Sequence, residues 1–362
     1  MAQNPLHLGV ALDGYGWHPQ AWRHTLAADP SAAPVTSGRH WAQLAATAER
    51  GLLDFLTIDD SLAAQPGRRE EIDPRRLAGR ADAVLIAARI APLTHNIGLI
   101  PVATITHTEP FHVSKAIATL DYISHGRAGW QARVSPTAHE AAAFGRRAAP
   151  DAAELFDEAA DFVDVVRRLW DSWEDDAVIR DIASGRYVDR DKLHYIDFAG
   201  KHFSVKGPSI TPRPPQGQPV VAALAHADPV YDFANTAADL AFVTPTDETS
   251  VRAILHTVQH KAIADVVVSF GGDSEFRSDA LVFEGTPQKL VDLLMGWQDL
   301  GLAGFRLRPA VNVTDLPVIV DEVVPLLQRA GRFRTTYREG ETLRERFGLP
   351  TAVNRYAATA LS

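Results

Sequence analysis

The 362-residue chain contains no cysteine. That absence excludes disulfides, thiolate nucleophiles, cysteine-bound zinc and cysteine-ligated iron–sulfur clusters. Basic residues are also short: 36 Lys and Arg face 45 Asp and Glu, a net charge of −9, the wrong sign for broad binding to nucleic acid or an anionic membrane surface. No stretch approaches the roughly 18 consecutive apolar residues that a membrane helix needs. The opening "MAQNPLHLGVALDGYGW" has no basic segment ahead of an apolar run, so neither a leader nor an anchor is expected. The expectation is a cytoplasmic protein without nucleic-acid or membrane partners.

Several catalytic patterns are missing as well. There is no phosphate-binding P-loop and no G-x-S-x-G nucleophile elbow. His139-Glu140 lacks the second histidine of a helical zinc protease, and His107 and His112 are spaced for a loop entering a helix. No metal site is expected.

The remaining composition, 46% hydrophobic and 22% charged, is that of an ordinary globular protein. Short β-branched or apolar runs alternate with helical patterns: "HLGVAL", "DFLTID", "NIGLIPVATI", "RAGWQARVS", "PVVAAL", "LAFVTP", "ADVVVSF" and "GFRLRP". Eight strands with helices between them predict a closed (β/α)₈ barrel. An open doubly wound sheet is the competitor, but the G-x-G-x-x-G fingerprint is absent after the first strand. Two stretches exceed a minimal barrel. Residues 136–212 follow the fourth strand and combine a long helix, an acidic loop and a hairpin; residues 271–285 follow the seventh. No shift in composition marks a linker, so residues 1–362 read as one domain.

Barrels build their sites where strands end. Asp59 and Asp60 close strand two, Thr104, Thr106 and Glu109 follow strand three, Gln131 and Ser135 sit at strand four, and Ala227 to Val230 follow strand five. Such a rim of hydrogen-bonding groups without a nucleophile–base pair suits a large polar cofactor better than hydrolysis. The stretch "PVVAALAHADPVYDFA" reads as a strand entering a helix, with Asp228 as N-cap and Pro229 at the first helical position. An exposed helix start can receive an anion. Trp17, Trp22, Phe276 and Phe283 supply aromatic area for a hydrophobic substrate, while the acidic "SWEDD" and basic "GRFRTTYRE" read as solvated faces.

At this point the chain resembles the bacterial luciferase-like monooxygenases, in the branch of nitrilotriacetate, dibenzothiophene-sulfone and long-chain alkane monooxygenases. "GWHPQAWR", "HTEPFHVSKAIATLDYISHGRAGW", "GKHFSVKGP", "GRFRTTYREGETLRERFGLP" and "NRYA" carry the likeness across nearly the whole chain. The resemblance implies a barrel that takes reduced FMN from a separate flavin reductase and uses O₂ to oxygenate a small, hydrophobic organic substrate, commonly as a homo-oligomer. Carried over by position, the cofactor contacts are Asp60, Thr104, Thr106, Gln131 (where the family has Asn), Ser135, Phe156 and Ala227. No catalytic acid or base is assigned. Phe156 replaces a Tyr that reaches the phosphate, and His226-Ala227 replace a pair of Ser. His226 or Arg146-Arg147 are candidate compensating cations. Those losses keep two alternatives open, a non-catalytic binding or partner subunit and a deazaflavin-dependent oxidoreductase.

Overall fold

The structure, a computed structural model, describes residues 5–65, 70–271 and 276–357. Eight parallel strands close on themselves: β1 (His7–Leu12), β2 (Phe55–Ile58), β3 (Gly98–Thr104), β4 (Gly129–Arg133), β5 (Val220–Ala225), β6 (Leu240–Val243), β7 (Lys261–Ser269) and β8 (Gly304–Pro309). The ring is completed where Leu240–Val243 pair with Lys261–Ala264 and where His7–Val10 pair with Gly304–Leu307. The strands are buried almost end to end, because helices cover their outer faces and side chains fill the lumen.

The outer layer consists of α1 (Gly38–Arg50), α2 (Ala83–Ile90), α3 (Pro110–Ile123), α4 (Ala152–Asp171), α5 (Asp228–Ala237), α6 (Glu248–Thr257), α7 (Pro287–Leu300) and a last helical run, Asn312–Val318, Ile319–Val323 and Val324–Arg329, containing a π turn. Their sequences explain their ends. Asp151 caps α4 by accepting from Glu154 N at 2.9 Å, Asp247 and Ser250 form a capping box on α6, and Pro287 opens α7 behind Thr286, each satisfying amides that the helix itself leaves unpaired. On α4, Leu155, Ala159, Phe162, Val166 and Trp170 form the buried stripe. It packs with Trp130, Val221 and Ala223 in the core between barrel and helices.

A second core lies inside the barrel. Phe55, Ile100, Val220, Leu240, Phe242 and Ile263 meet Leu343 and Phe347, which enter from below. The C-terminal "GRFRTTYREGETLRERFGL" is therefore not a solvated face, contrary to expectation. Arg334 pairs with Asp54, which is wholly buried and also takes Leu8 N at 2.8 Å, and Tyr337 Oη donates to Leu53 O at 2.7 Å. This segment caps the N-terminal end of the barrel. The "HGRAGW" stretch works at the same end: Arg127, 4% exposed, donates to the carbonyls of Ser124, Ile97, Ala91 and Thr94 at 2.7–3.0 Å.

Both insertions occur where expected, with additions. The first contains α4, the hairpin Phe198–Ala199/Ser204–Val205 and a further hairpin, Val178–Asp181/Arg186–Val188. The "SWEDD" carboxylates there are paired, Glu174 with His194, Asp175 with Arg213 and Asp176 with Lys192. Part of the second insertion, residues 272–275, lies outside the described residues, but Leu281–Glu284 forms a ninth strand, parallel to β7 along Val266–Ser269. Since β6 pairs with β7 only along Lys261–Ala264, the insertion strand takes over that edge of β7 towards the mouth. Gly16 shows how tightly the first loop seats on β8: a Cβ there would stand 2.2 Å from Ala310 O.

Candidate functional site

Halfway up the lumen the apolar filling gives way to a polar floor. Arg306 on β8, 3% exposed, spans the barrel. Its Nε and Nη2 donate to Asp265 on β7 at 2.6 and 2.5 Å, its Nη1 donates to Gln131 Oε1 on β4 at 2.6 Å, and its guanidinium lies 3.8 Å from the Phe242 ring centroid. Arg308, two residues on and facing the same way, pairs with Asp265 and with Asp279 of the second insertion, while Trp17 lies 4.5 Å from its guanidinium. Alternation places both arginines inside, since residues two apart in a strand share a face. Sequence reasoning identified the strand but not this role; two arginines at i and i+2 in an otherwise buried strand were the available signal.

Above the floor, the β1 and β2 ends carry a second ionic group. Arg80 contacts Asp59 at 3.1 Å and Asp13 at 3.7 Å, and Arg133 contacts Asp59 at 3.2 Å and also donates to Asp60 O. Burial pushes the Asp13 carboxyl up to about 6, with Arg80 opposing and Asp59 adding to the rise. Asp60 is raised by burial, against the backbone amides of Ala83 and Ser61 that hydrogen-bond its carboxylate. The first of those bonds, 3.0 Å, ties Asp60 to the first residue of α2, which Asp82 caps, and the second, 2.7 Å, turns the carboxylate back on its own loop. A cavity of about 60 Å³ lies beside this network, lined by Asp13, Trp17, Leu77 and Arg80 among others.

Strands β3 and β4 are clasped at their ends. Ser135 N donates to Thr106 Oγ1 at 2.9 Å, and Glu140 accepts from Ser135 Oγ, from Thr137 Oγ1 at 2.6 Å and from Leu62 N at 3.1 Å. Burial raises the Glu140 carboxyl, but the Ser135 and Thr137 hydroxyls outweigh it and hold the group below its ordinary value. It thus ties the β2 loop to the β4 loop as a carboxylate. Next to Thr106, His107 is 7% exposed, sits at φ +67° and stacks on Phe144 at 5.3 Å, and neither ring nitrogen has a hydrogen-bond partner among the described residues. Burial, with Arg147 adding, lowers its pKa and keeps the ring neutral. Among the described residues no cluster of three or more His, Asp or Glu side chains is arranged to hold a metal.

The residues expected to hold a flavin divide into two ends. At the ring end, Thr104 and Gln131 face the lumen from neighbouring strands; the hydroxyl of Thr104 and the Nε2 of Gln131 make no hydrogen bonds among the described residues, and Thr106 and Ser135 stand beside them. These donors fit the polar edge of an isoalloxazine. The phosphate end is different. Phe156 packs against Phe233, with ring centroids 5.9 Å apart and planes tilted by 41°. The helix start differs from the sequence expectation: Ala227, not Asp228, is the N-cap, it offers no side-chain cap, and Asp228 is the first helical residue. The reason is local. Val230 N and Tyr231 N turn back to Ala227 O at 2.9 and 3.1 Å, and Pro229 has no amide hydrogen, so few donors remain. The compensating cations are occupied too, Arg146 by Glu109 and Arg147 by Glu158, and His226 is exposed. Of the crevices lined wholly by described residues, the one between Thr106, Leu155, Glu158 and Phe162 is closed even to water. The side chains present do not fit a phosphate.

The aromatic residues assigned to a substrate mostly pack against protein. Trp17 Nε1 donates to Ala11 O at 2.7 Å and its ring joins Phe276, Val267 and Ala280; Trp22 Nε1 donates to Arg75 O at 3.0 Å; Phe283 lies on the main core. Trp17 also lines the mouth cavity.

Residues 19–270 match the luciferase-like monooxygenase family. The chain is 30% identical to N-acetyl-S-(2-succino)cysteine monooxygenase of Bacillus subtilis, over 97% of this chain and 98% of that one, and 29% identical to nitrilotriacetate monooxygenase component A of Aminobacter aminovorans, over 98% and 99%. A riboflavin lyase solved with modified FMN and riboflavin shares the fold, with a TM-score of 0.82 at 22% identity over 96% of this chain and 97% of that one. No helix among the described residues is long and apolar enough to cross a membrane. By these matches and by its closed parallel barrel, the chain belongs to the luciferase-like monooxygenase family and is a flavin-dependent monooxygenase.

Proposed function

We propose that the chain is the oxygenating component of a two-component system, taking reduced FMN from a separate reductase and oxygenating a small organic molecule. The observation that supports the choice of cofactor is the pair of groups without a hydrogen bond among the described residues, Thr104 Oγ1 and Gln131 Nε2, beside the Arg306–Asp265 floor. Reduced FMN, when bound, supplies the two electrons that split O₂, one oxygen atom entering the substrate and the other leaving as water. Gln131 and Thr104 hold the ring by its polar edge, and Thr106 and Ser135 fix the wall beside it. The Glu140 clasp draws the β2 and β4 loops together over the site, which excludes water from a reaction that water would short-circuit. The grip is on the ring rather than the phosphate.

The test is a titration of the purified protein with oxidised and photoreduced FMN, followed by melting temperature, since a ligand bound only by the native state raises it. Reductase-dependent O₂ uptake in the presence of substrate candidates is the second arm. If neither form of FMN moves the transition at millimolar concentration, the proposal fails. A second reading, a barrel that has lost its cofactor and serves as a binding subunit, is favoured by the closed crevice beside Thr106. Turnover by this chain with a reductase alone excludes it.

A further inference from the structure

Outside the barrel, between α1, residues 25–33 and the start of the last helical run, lies a cavity of about 430 Å³. That is the size of a small-molecule site, and the oxygenation chemistry does not use it. Its wall is organised by one carbonyl. Gly14 O accepts from His40 Nε2 at 2.9 Å and from Asn312 Nδ2 at 3.0 Å. A carbonyl can only accept, so both bonds fix an orientation: His40 carries its proton on Nε2 and keeps Nδ1 as a lone pair, and the Asn312 amide keeps Oδ1 as an acceptor. Burial lowers the His40 pKa, the bond to Gly14 opposing it only in part, so the ring is neutral. Asn312 Oδ1 and Thr25 Oγ1 belong to wholly buried residues that line the cavity, and neither has a hydrogen-bond partner among the described residues. His40 Nδ1 makes no hydrogen bond among them either.

From this we infer that the cavity is a second ligand site, separate from the lumen, that takes a small aliphatic molecule with a primary ammonium head. Two fixed acceptors and a hydroxyl that can turn to accept call for donors, and an ammonium brings three donors and no acceptor. A carboxylate or carbonyl would set lone pairs against lone pairs. Asp29 and Arg39 at the rim are both exposed, so water screens their opposite charges and the buried neutral acceptors decide the choice. Leu44, Leu316 and Pro317 give the aliphatic part an apolar wall. Gly14 also lines the mouth cavity, so the two sites are separated by one peptide. The inference stands independently of the flavin proposal.

The experiment titrates the purified full chain with n-butylammonium by calorimetry. Two comparison probes run beside it: n-butyltrimethylammonium keeps the charge and the chain but has no donors, and butyrate brings acceptors alone. The wild type is expected to bind n-butylammonium in the millimolar range and about tenfold or more tightly than either comparison probe. Two variants locate the binding. Thr25→Val removes the unpaired hydroxyl at nearly constant volume, and is expected to weaken n-butylammonium by about fivefold or more. The same change should raise the melting temperature of the free protein, because an apolar group replaces a buried polar one that has no partner. Val313→Trp starts from a residue that is 41% exposed and sets an indole across the cavity; it is expected to abolish binding and leave the melting temperature unchanged. If Thr25→Val does not fold, Val313→Trp decides. No binding of n-butylammonium at millimolar concentration, equal binding of the trimethyl probe, or binding that survives intact in the folded variants overturns the inference.

Discussion

Adding the hydroxyls that the family resemblance implies for a phosphate end, at positions 156 and 227, offers a gain-of-function test. Phe156→Tyr adds an oxygen to a half-buried ring beside Phe233, and Ala227→Ser adds one at an uncapped, exposed helix start. A hydrogen bond to a charged group contributes about 1.5 to 3 kcal/mol net. Taking the lower figure, each substitution strengthens FMN binding about tenfold and the pair roughly a hundredfold. Serine at the N-cap also stabilises the helix itself by about 0.5 to 2 kcal/mol, which raises the melting temperature without any ligand. The informative quantity is therefore a ratio. Riboflavin carries the same ring without the phosphate, so the wild type is expected to bind FMN and riboflavin with similar affinity. The double variant should bind FMN roughly a hundredfold more tightly than riboflavin. Fluorescence titration with both ligands reads this directly. Equal gains for riboflavin and FMN, or a wild type that already discriminates strongly between them, would refute the account of a site that grips only the ring.

Two further predictions concern the barrel's other end. Asp121 accepts from Gln216 N at 3.0 Å and from Gln216 Nε2 at 2.6 Å, yet burial pushes its carboxyl up to about 6, those bonds only partly opposing it. The folded state therefore holds a proton there that the unfolded chain, near 3.8, has already released. That preference stabilises the fold below about pH 4 and is lost as pH rises through about 6, a swing on the order of 3 kcal/mol. Relative to wild type, Asp121→Asn should gain stability between pH 4 and 7 in urea titrations, and a pH-independent difference would count against it. Arg127→Met leaves the carbonyls of Ala91, Thr94, Ile97 and Ser124 without their donor. It should lower stability by about 3 kcal/mol or more, leaving flavin affinity in the folded fraction unchanged. A loss under 1 kcal/mol would show that water replaces the guanidinium.

What was legible locally was what repeats locally. Strands such as His7–Leu12 and Val220–Ala225 fall where the apolar runs place them, because a buried parallel strand leaves a continuous apolar signature. The luciferase-like motifs were equally legible, but "HGRAGW" and "GRFRTTYRE" work at the closed end of the barrel, where Arg127 and Arg334 satisfy buried carbonyls and Asp54. A motif records that its residues matter and not which end of the barrel they serve. The helix start at Ala227 slipped by one residue because capping depends on which amides turn back, and that is set after the chain bends.

The sequence by itself determined the barrel and the family, since each is a property of residues in order, and the family resemblance implies that Phe156 and Ala227 stand where relatives carry hydroxyls. Tertiary structure alone decided what Arg306, Asp265 and Gln131 do together. They lie 41 and 175 positions from Arg306 along the chain, and only closure of the sheet brings three strands' inward faces within hydrogen-bond reach. There, away from water, Asp265 joins two guanidiniums and Arg306 occupies the acceptor of the Gln131 amide.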